Sequence, residues 1–283
     1  MTERLEDVRR RRAVIDDIGE VVGALRAIAS GRVSEAHGAQ RAISSYDAQV
    51  SDALSRLAAP AAIVQQGPGL ALVVGAAQGF CGGYPARVAE AALQLPPDTG
   101  LLVIGQRTRA MLEVAGSTPL WSADMPTAAR FVPPLASAVT DALLHFGEDH
   151  PGPIRALSGH DAPGLPVKEW QVWPPEASDD APRSPPALPL TTLSVPALIR
   201  ALLAEALFAE VARTLMTGLQ IENRARVEAM ARAQSSLKTR RAEVDQQYRQ
   251  ARQEQMTTEV IELSTAGQAA GGRAAGGQTA GGR

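Results

Sequence analysis

The chain is poor in cysteine, in aromatic residues and, over long stretches, in proline. Among its 283 residues there is one cysteine, Cys81, which excludes an internal disulfide and fits a reducing compartment. Aromatic residues make up only 4% while apolar residues make up 45%. Alanine and leucine therefore carry the apolar fraction, which favours long helices over a thick aromatic core. The net charge is −2, so no strong field surrounds the chain as a whole and nucleic acid is not an expected partner. No run approaches the ~20 apolar residues of a membrane span, and no apolar segment follows the basic start MTERLEDVRRRR. A soluble or membrane-peripheral protein is expected, without direct membrane insertion.

Residues 2–58 contain no proline. Apolar residues recur there every seven positions: Val8, Ile15, Val22, Ala29, Ala36, Ile43, Val50 and Leu57. A second row holds Ile18, Leu25, Ala39, Tyr46 and Ala53, broken by Arg11 and Arg32. This spacing predicts a coiled-coil helix over 1–60, ~85 Å long. Residues 61–193 are different. They hold most of the prolines and all three tryptophans, with seven Lys/Arg against twelve Asp/Glu. Strands are expected at 70–74, 101–104, 154–158 and 169–173, and helices at 85–94, 107–114 and 136–146. Strand–helix units in succession predict a parallel α/β domain, followed by a proline-rich linker at 174–189.

Ser194 and Pro196 mark the start of a second long helix. Gly218 is its only glycine before Gly267, so the helix can run ~70 residues, or ~105 Å. Met230, Leu237, Val244 and Ala251 keep a seven-residue spacing, but Asn223, Gln234 and Arg241 interrupt the face, which points to sliding or to polar partners. The boundary is expected at 265, with a flexible Gly/Ala tail over 266–283. The predicted class is thus α/β: a long antiparallel coiled coil of N- and C-terminal helices with an inserted Rossmann-like domain.

The stretch VVGAAQGFCGGYPARVAEAAL at 73–93 has the strand, glycine loop and helix of a phosphate site. No lysine follows its glycines, and Gly75 and Gly79 are four apart, so it fits neither a Walker loop nor GxGxxG. A tight turn with close backbone packing is the favoured reading. Cys81 reads as a small buried thiol, since a nucleophile needs a base and an orienting group. His37, His145, His150 and His160 form no HxxxH or HExxH pair, so no metal site is expected. The basic run Arg9–Arg12 is flanked by Glu3, Glu6, Asp7, Asp16 and Asp17 and reads as a solvated helix face.

Three segments resemble the gamma subunit of F-type rotary ATP synthases. They are VRRRR at 8–12 with ALRAIASGRVSEA at 24–36; QGFCGGY at 78–84 with VIG at 103–105; and ENRARVEAMARA at 222–233 with QQYRQARQEQMTTEVIEL at 246–263. Order, spacing and length agree over nearly the whole chain. There are departures. Ala76, Ala77 and Gln78 stand where the family usually has Ser-Asp-Arg, and Pro85 stands for the usual Asn. Glu20 and Gly23 replace basic residues, Ser236 stands for an Asn, and Ala266-Gly267 inverts the closing pair. They suit a divergent branch, such as the sodium-type N-ATPase. The resemblance implies a rotary shaft without cofactor, metal or catalytic residues of its own. It implies as partners the alpha and beta subunits of the catalytic ring, the epsilon subunit and the membrane c-ring. It implies a peripheral position on the cytoplasmic face of a bacterial cell membrane. Arg252 and Gln253 match the pair that reaches a loop of one beta subunit, and Glu259, Leu25, Arg26 and Cys81 are further implied subunit contacts. The alternative is a nucleotide-binding Rossmann-type enzyme with coiled-coil oligomerisation helices.

Overall fold

A computed structural model describes residues 2–57, 66–174 and 190–275. Helix α1 spans Thr2–Ser55, and α5 spans Val195–Ala275. Between them lie β1 (Leu70–Val74), α2 (Tyr84–Leu93), β2 (Gly100–Ile104), α3 (Gln106–Val114), β3 (Trp121–Ala123), α4 (Val132–Phe146), β4 (Ile154–Gly159) and β5 (Val167–Trp173). The chain divides into two compact units, Leu25–Met230 and Met1–Ala24 with Ala231–Arg283.

In the first unit the strands form one sheet in the order β3-β2-β1-β4-β5. The pairs β1–β2, β1–β4 and β2–β3 are parallel. β4–β5 is antiparallel, so the sheet is mixed rather than wholly parallel as expected. β1 and β2 are buried along their whole length, which explains their unbroken apolar sequences, LALVV and GLLVI. Alternate side chains serve two cores. Leu70, Leu72, Val74, Leu102 and Ile104 meet Val132, Ala136, Val139 and Leu143 of α4 and Val211, Leu215, Met216 and Leu219 of α5. Ala71, Val73, Leu101, Val103 and Leu157 meet Tyr84, Val88 and Ala92 of α2, Leu112 of α3, and Ile221 and Ala225 of α5.

The boundaries depart from expectation for physical reasons. α4 begins four residues before Ala136, because prolines in its first turn need no N–H partner there. β3 escapes the pattern reading because it has three residues, all half-buried. α5 runs ten residues past 265, to Ala275. Ala266, Ala269 and Ala270 are strong helix formers, and extending an existing helix avoids the cost of a new nucleus. Residues 276–283 of the expected tail, 58–60 of the first helix and 175–189 of the linker lie outside the described residues.

The two long helices pair antiparallel within each unit. In the first, Gln40 donates to Thr217 (3.0 Å) and Tyr46 to Glu205 (2.5 Å), with the Tyr46 and Phe208 rings edge to face. In the second, Arg12 pairs with Asp245 (3.1 Å) and Asp16 with Arg241 (3.0 Å), while Arg12 lies over the Tyr248 ring. Partner numbers fall as α1 numbers rise. Of the first heptad row, Val8, Ala29, Ala36, Val50 and Leu57 are buried. The second row is weaker, with Ile18 and Tyr46 exposed. Of the two alternatives for the polar seam, Arg241 fits the polar partner, which is Asp16 on α1.

Candidate functional site at the glycine loop

The sheet order reverses at β1, since β2 and β3 lie to one side of it and β4 and β5 to the other. In a parallel sheet this opens a crevice beyond the carboxyl ends of β1 and β4, where nucleotides commonly bind. The loop 75–83 stands at that crevice. Its glycines serve packing. A Cβ on Gly75 would collide with the Thr108 side chain, whose hydroxyl accepts from the Ala76 amide at 3.0 Å. Gly82 takes a positive φ of 59°, and so does Phe80, at 63°. The Phe80 ring is 67% exposed, whereas Cys81 beside it is buried and hydrogen-bonds the Gln78 carbonyl.

The crevice is filled from within. Tyr84, fully buried, donates to the Val74 carbonyl (3.2 Å) and accepts from the Gly159 amide (3.3 Å), with Ser158 Oγ at 3.4 Å. α5 crosses the same ends of the strands. Gly218 lies so close to Val74 that a Cβ would overlap it, and a Cβ on Gly159 would overlap Ile221.

One turn beyond Gly218 stands Glu222. Its carboxylate accepts from the backbone amides of Ala77 (3.2 Å, Oε2) and Gln78 (3.0 Å, Oε1). Arg226 donates to the same carboxylate (2.7 Å), to the Gly79 carbonyl (3.1 Å) and to Asn223 Oδ1 (2.8 Å). Glu222, Asn223 and Arg226 are 3%, 1% and 5% exposed, so the pair is shielded from water. Buried ions are tolerated only when paired and fully hydrogen-bonded, and removal of one partner costs on the order of 3–5 kcal/mol. From the outer side Arg32 on α1 donates to the Gln78 side chain (3.2 Å). The loop is therefore tied to both long helices.

Burial, then the Glu222 charge, pushes the Cys81 thiol up, against smaller opposite effects of Arg226, a backbone hydrogen bond and Arg107. Burial also pushes the Tyr84 phenol up to about 12. Neither group is poised to ionise near neutral pH. Among the described residues no group of three His, Cys, Asp or Glu side chains could hold a metal.

Leu25, half-buried, exposed Arg26 and buried Cys81 lie in the unit that contains the sheet. Arg252, Gln253 and Glu259 are exposed on α5 in the other unit, and Glu259 accepts from Gln255 at 2.8 Å. Arg249, Arg252, Gln253, Met256, Val260 and Ile261 border one shallow depression on that helix. The sequence pattern singles out none of Glu222, Tyr84 and Thr108, and it shows Asn223 only as a polar break in the helix face. The available signal was the i,i+4 spacing of Glu222 and Arg226 just after an apolar stretch.

The family model described as ATP synthase matches residues 4–149, about half of the chain. No curated protein sequence matches. A chain of the Euglena gracilis mitochondrial ATP synthase (OSCP/F1/c-ring, rotational state 3) is similar at 12% identity and a TM-score of 0.64, covering 100% of both chains. A chain of the same organism's ATP synthase rotor in rotational state 1 has 12% identity and a TM-score of 0.60, covering 90% of this chain and 100% of that one. A chain of the Tetrahymena thermophila mitochondrial ATP synthase central stalk/c-ring has 12% identity and a TM-score of 0.53, covering 75% and 99%. Residues 150–283, with the Glu222–Arg226 pair, lie beyond the family-model match but within the 100% coverage of the first of these structures. The chain belongs to the F-type ATP synthase gamma family, the family of the central rotary shaft.

Proposed function

We infer that this shaft turns inside a ring of alpha and beta catalytic subunits and couples their synthesis or hydrolysis of ATP to ion passage through a membrane c-ring. The chain brings no catalytic residue; it acts by contacts that differ between the conformations of each catalytic subunit, and only that difference can do work. Epsilon and the c-ring are partners of the α/β insert, and the complex sits peripherally on the cytoplasmic face of a bacterial membrane. No helix among the described residues is long and apolar enough to cross one. The observation that carries this reading is the exposed end of α5. Met256, Val260, Ile261 and Leu263 are 57%, 64%, 57% and 73% exposed on a helix that also presents Arg252 and Gln253 to solvent. An apolar stripe of this kind beside a planar five-donor cation suits a sleeve of other subunits offering apolar surface and carboxylates or carbonyls. Leu25, Arg26 and the Cys81 loop supply further contacts; Cys81 points inward, so the loop touches a partner through Phe80.

The test is turnover of the purified complex. Arg252→Ala should assemble normally and lower coupled ATP turnover roughly tenfold, the value of one charge-assisted hydrogen bond of ~1.5–3 kcal/mol. Arg249→Ala, on the same helix, should stay near wild type. Equal turnover in both variants removes Arg252 from the mechanism. Titration of the chain with ATP in a calorimeter should give no saturable heat, because a nucleotide in the crevice would have to displace Tyr84, Ile221 and Glu222.

A further inference from the structure

We propose that the glycine loop is an oxyanion-binding site whose resident ligand is the chain's own Glu222. The loop stands at the topological switch point of the sheet, where anionic groups bind in folds of this kind. Two successive backbone amides, of Ala77 and Gln78, converge on one carboxylate group at 3.2 and 3.0 Å. Consecutive amides that point into one concavity bind anions whatever their source. A buried guanidinium, Arg226, donates to the same carboxylate and is held in place by Asn223 and the Gly79 carbonyl. A phosphate site usually takes its cation from the loop itself; here the cation comes from α5, one turn after the anion.

The ligand class follows from this donor set: a small carboxylate or other oxyanion, with two amides and one guanidinium as donors. In the native chain Glu222 fills the position, so the crevice is closed and α5 is fastened to the loop. Replacing Glu222 with alanine removes a CH₂–COO⁻ group, about the size of acetate, and leaves the donors behind. Acetate in solution should then take its place. The inference concerns the chain by itself and does not depend on the shaft reading, so the two fail separately.

The experiment is thermal unfolding of the full-length chain followed by tryptophan fluorescence. All three tryptophans, Trp121, Trp170 and Trp173, lie in β3 and β5, so the signal reports the insert. Sodium acetate is compared with sodium chloride at equal ionic strength. In Glu222→Ala, acetate well above its dissociation constant should raise Tm saturably by about 2–4 °C relative to chloride. Wild type and Glu222→Gln, in which the space is filled, should show no difference between the salts. The double variant Glu222→Ala/Arg226→Met, which lacks the guanidinium, should lose the response. If Glu222→Ala shows no transition in chloride, acetate should restore one. An equal effect of the two salts on Glu222→Ala overturns the proposal. So does a response of the same size in wild type or Glu222→Gln, or the absence of a transition in both salts.

Discussion

Two stretches of the same helix, α5, differ in how completely their chemistry is used within the chain. From Leu207 to Arg226 fifteen of the twenty residues are buried, polar ones included. Small residues let the backbone approach the sheet, and Glu222, Asn223 and Arg226 satisfy one another and the glycine loop. From Arg252 to Thr265 the side chains are mostly exposed, large apolar ones among them. The first stretch is a finished interface. The second has the composition of an interface but leaves its large apolar side chains in solvent. Amphipathic composition alone does not separate the two; burial of the polar residues does.

The buried stretch is most sensitive at Gly218. Gly218→Leu places a side chain where a single Cβ already overlaps Val74 and comes within 3.2 Å of Met125. Helix and sheet cannot both keep their positions, and the insert should lose about 3 kcal/mol or more of stability, or fail to dock on α5. Urea unfolding followed by tryptophan fluorescence measures this, and a wild-type midpoint would show that α5 is not seated on β1.

Tyr84 gives the buried side a dependence on pH. Its phenol ionises near the ordinary 10.0 in the unfolded chain but at about 12 in the folded one. The unfolded chain therefore loses this proton first as pH rises. The stabilisation is complete below pH 10 and is lost between about pH 10 and 12, with an upper limit of about 2–3 kcal/mol. Tyr84→Phe should flatten that part of the pH–stability curve, while costing the hydrogen bonds to Val74 and Gly159 at neutral pH. An unchanged alkaline slope in this variant would assign the loss to other groups.

On the exposed side the effects on folding should be small. Val260→Ser with Ile261→Ser removes apolar surface that touches little of the chain, so stability should shift by no more than about 0.5 kcal/mol. Self-association of the isolated chain, measured by light scattering, should fall, because the stripe has lost its apolar centre. A loss of stability well beyond that figure would mean that the stripe is packed within the chain.

Much of this contrast is legible in the sequence, for reasons that differ by element. The heptad row Val8 to Leu57 and the apolar runs of β1 and β2 announce themselves, because burial on one stripe or on both faces leaves a periodic mark. The absence of a lysine after the glycines marks the loop as unlike a Walker loop. The sequence does not say what occupies the site instead. Glu222 lies 144 residues beyond Gln78, and no local pattern links them. The strand at 169–173 is legible but its antiparallel direction is not, and the three-residue β3 is not legible at all, because direction and edge pairing leave no periodicity. Arg241 marks the seam as polar in the sequence, but that its partner is Asp16, on the other helix, is seen only in the fold.

The central claim is that the chain turns as a shaft. Val114, 91% exposed on α3, offers a labelling point on the insert, and the one native thiol, Cys81, is buried. A Val114→Cys chain carrying a bead, assembled with its catalytic ring and held to a surface through that ring, should rotate continuously in one direction when ATP is added, and stop when ATP is exhausted. ATP hydrolysis by the same molecules with the bead stationary would contradict the account.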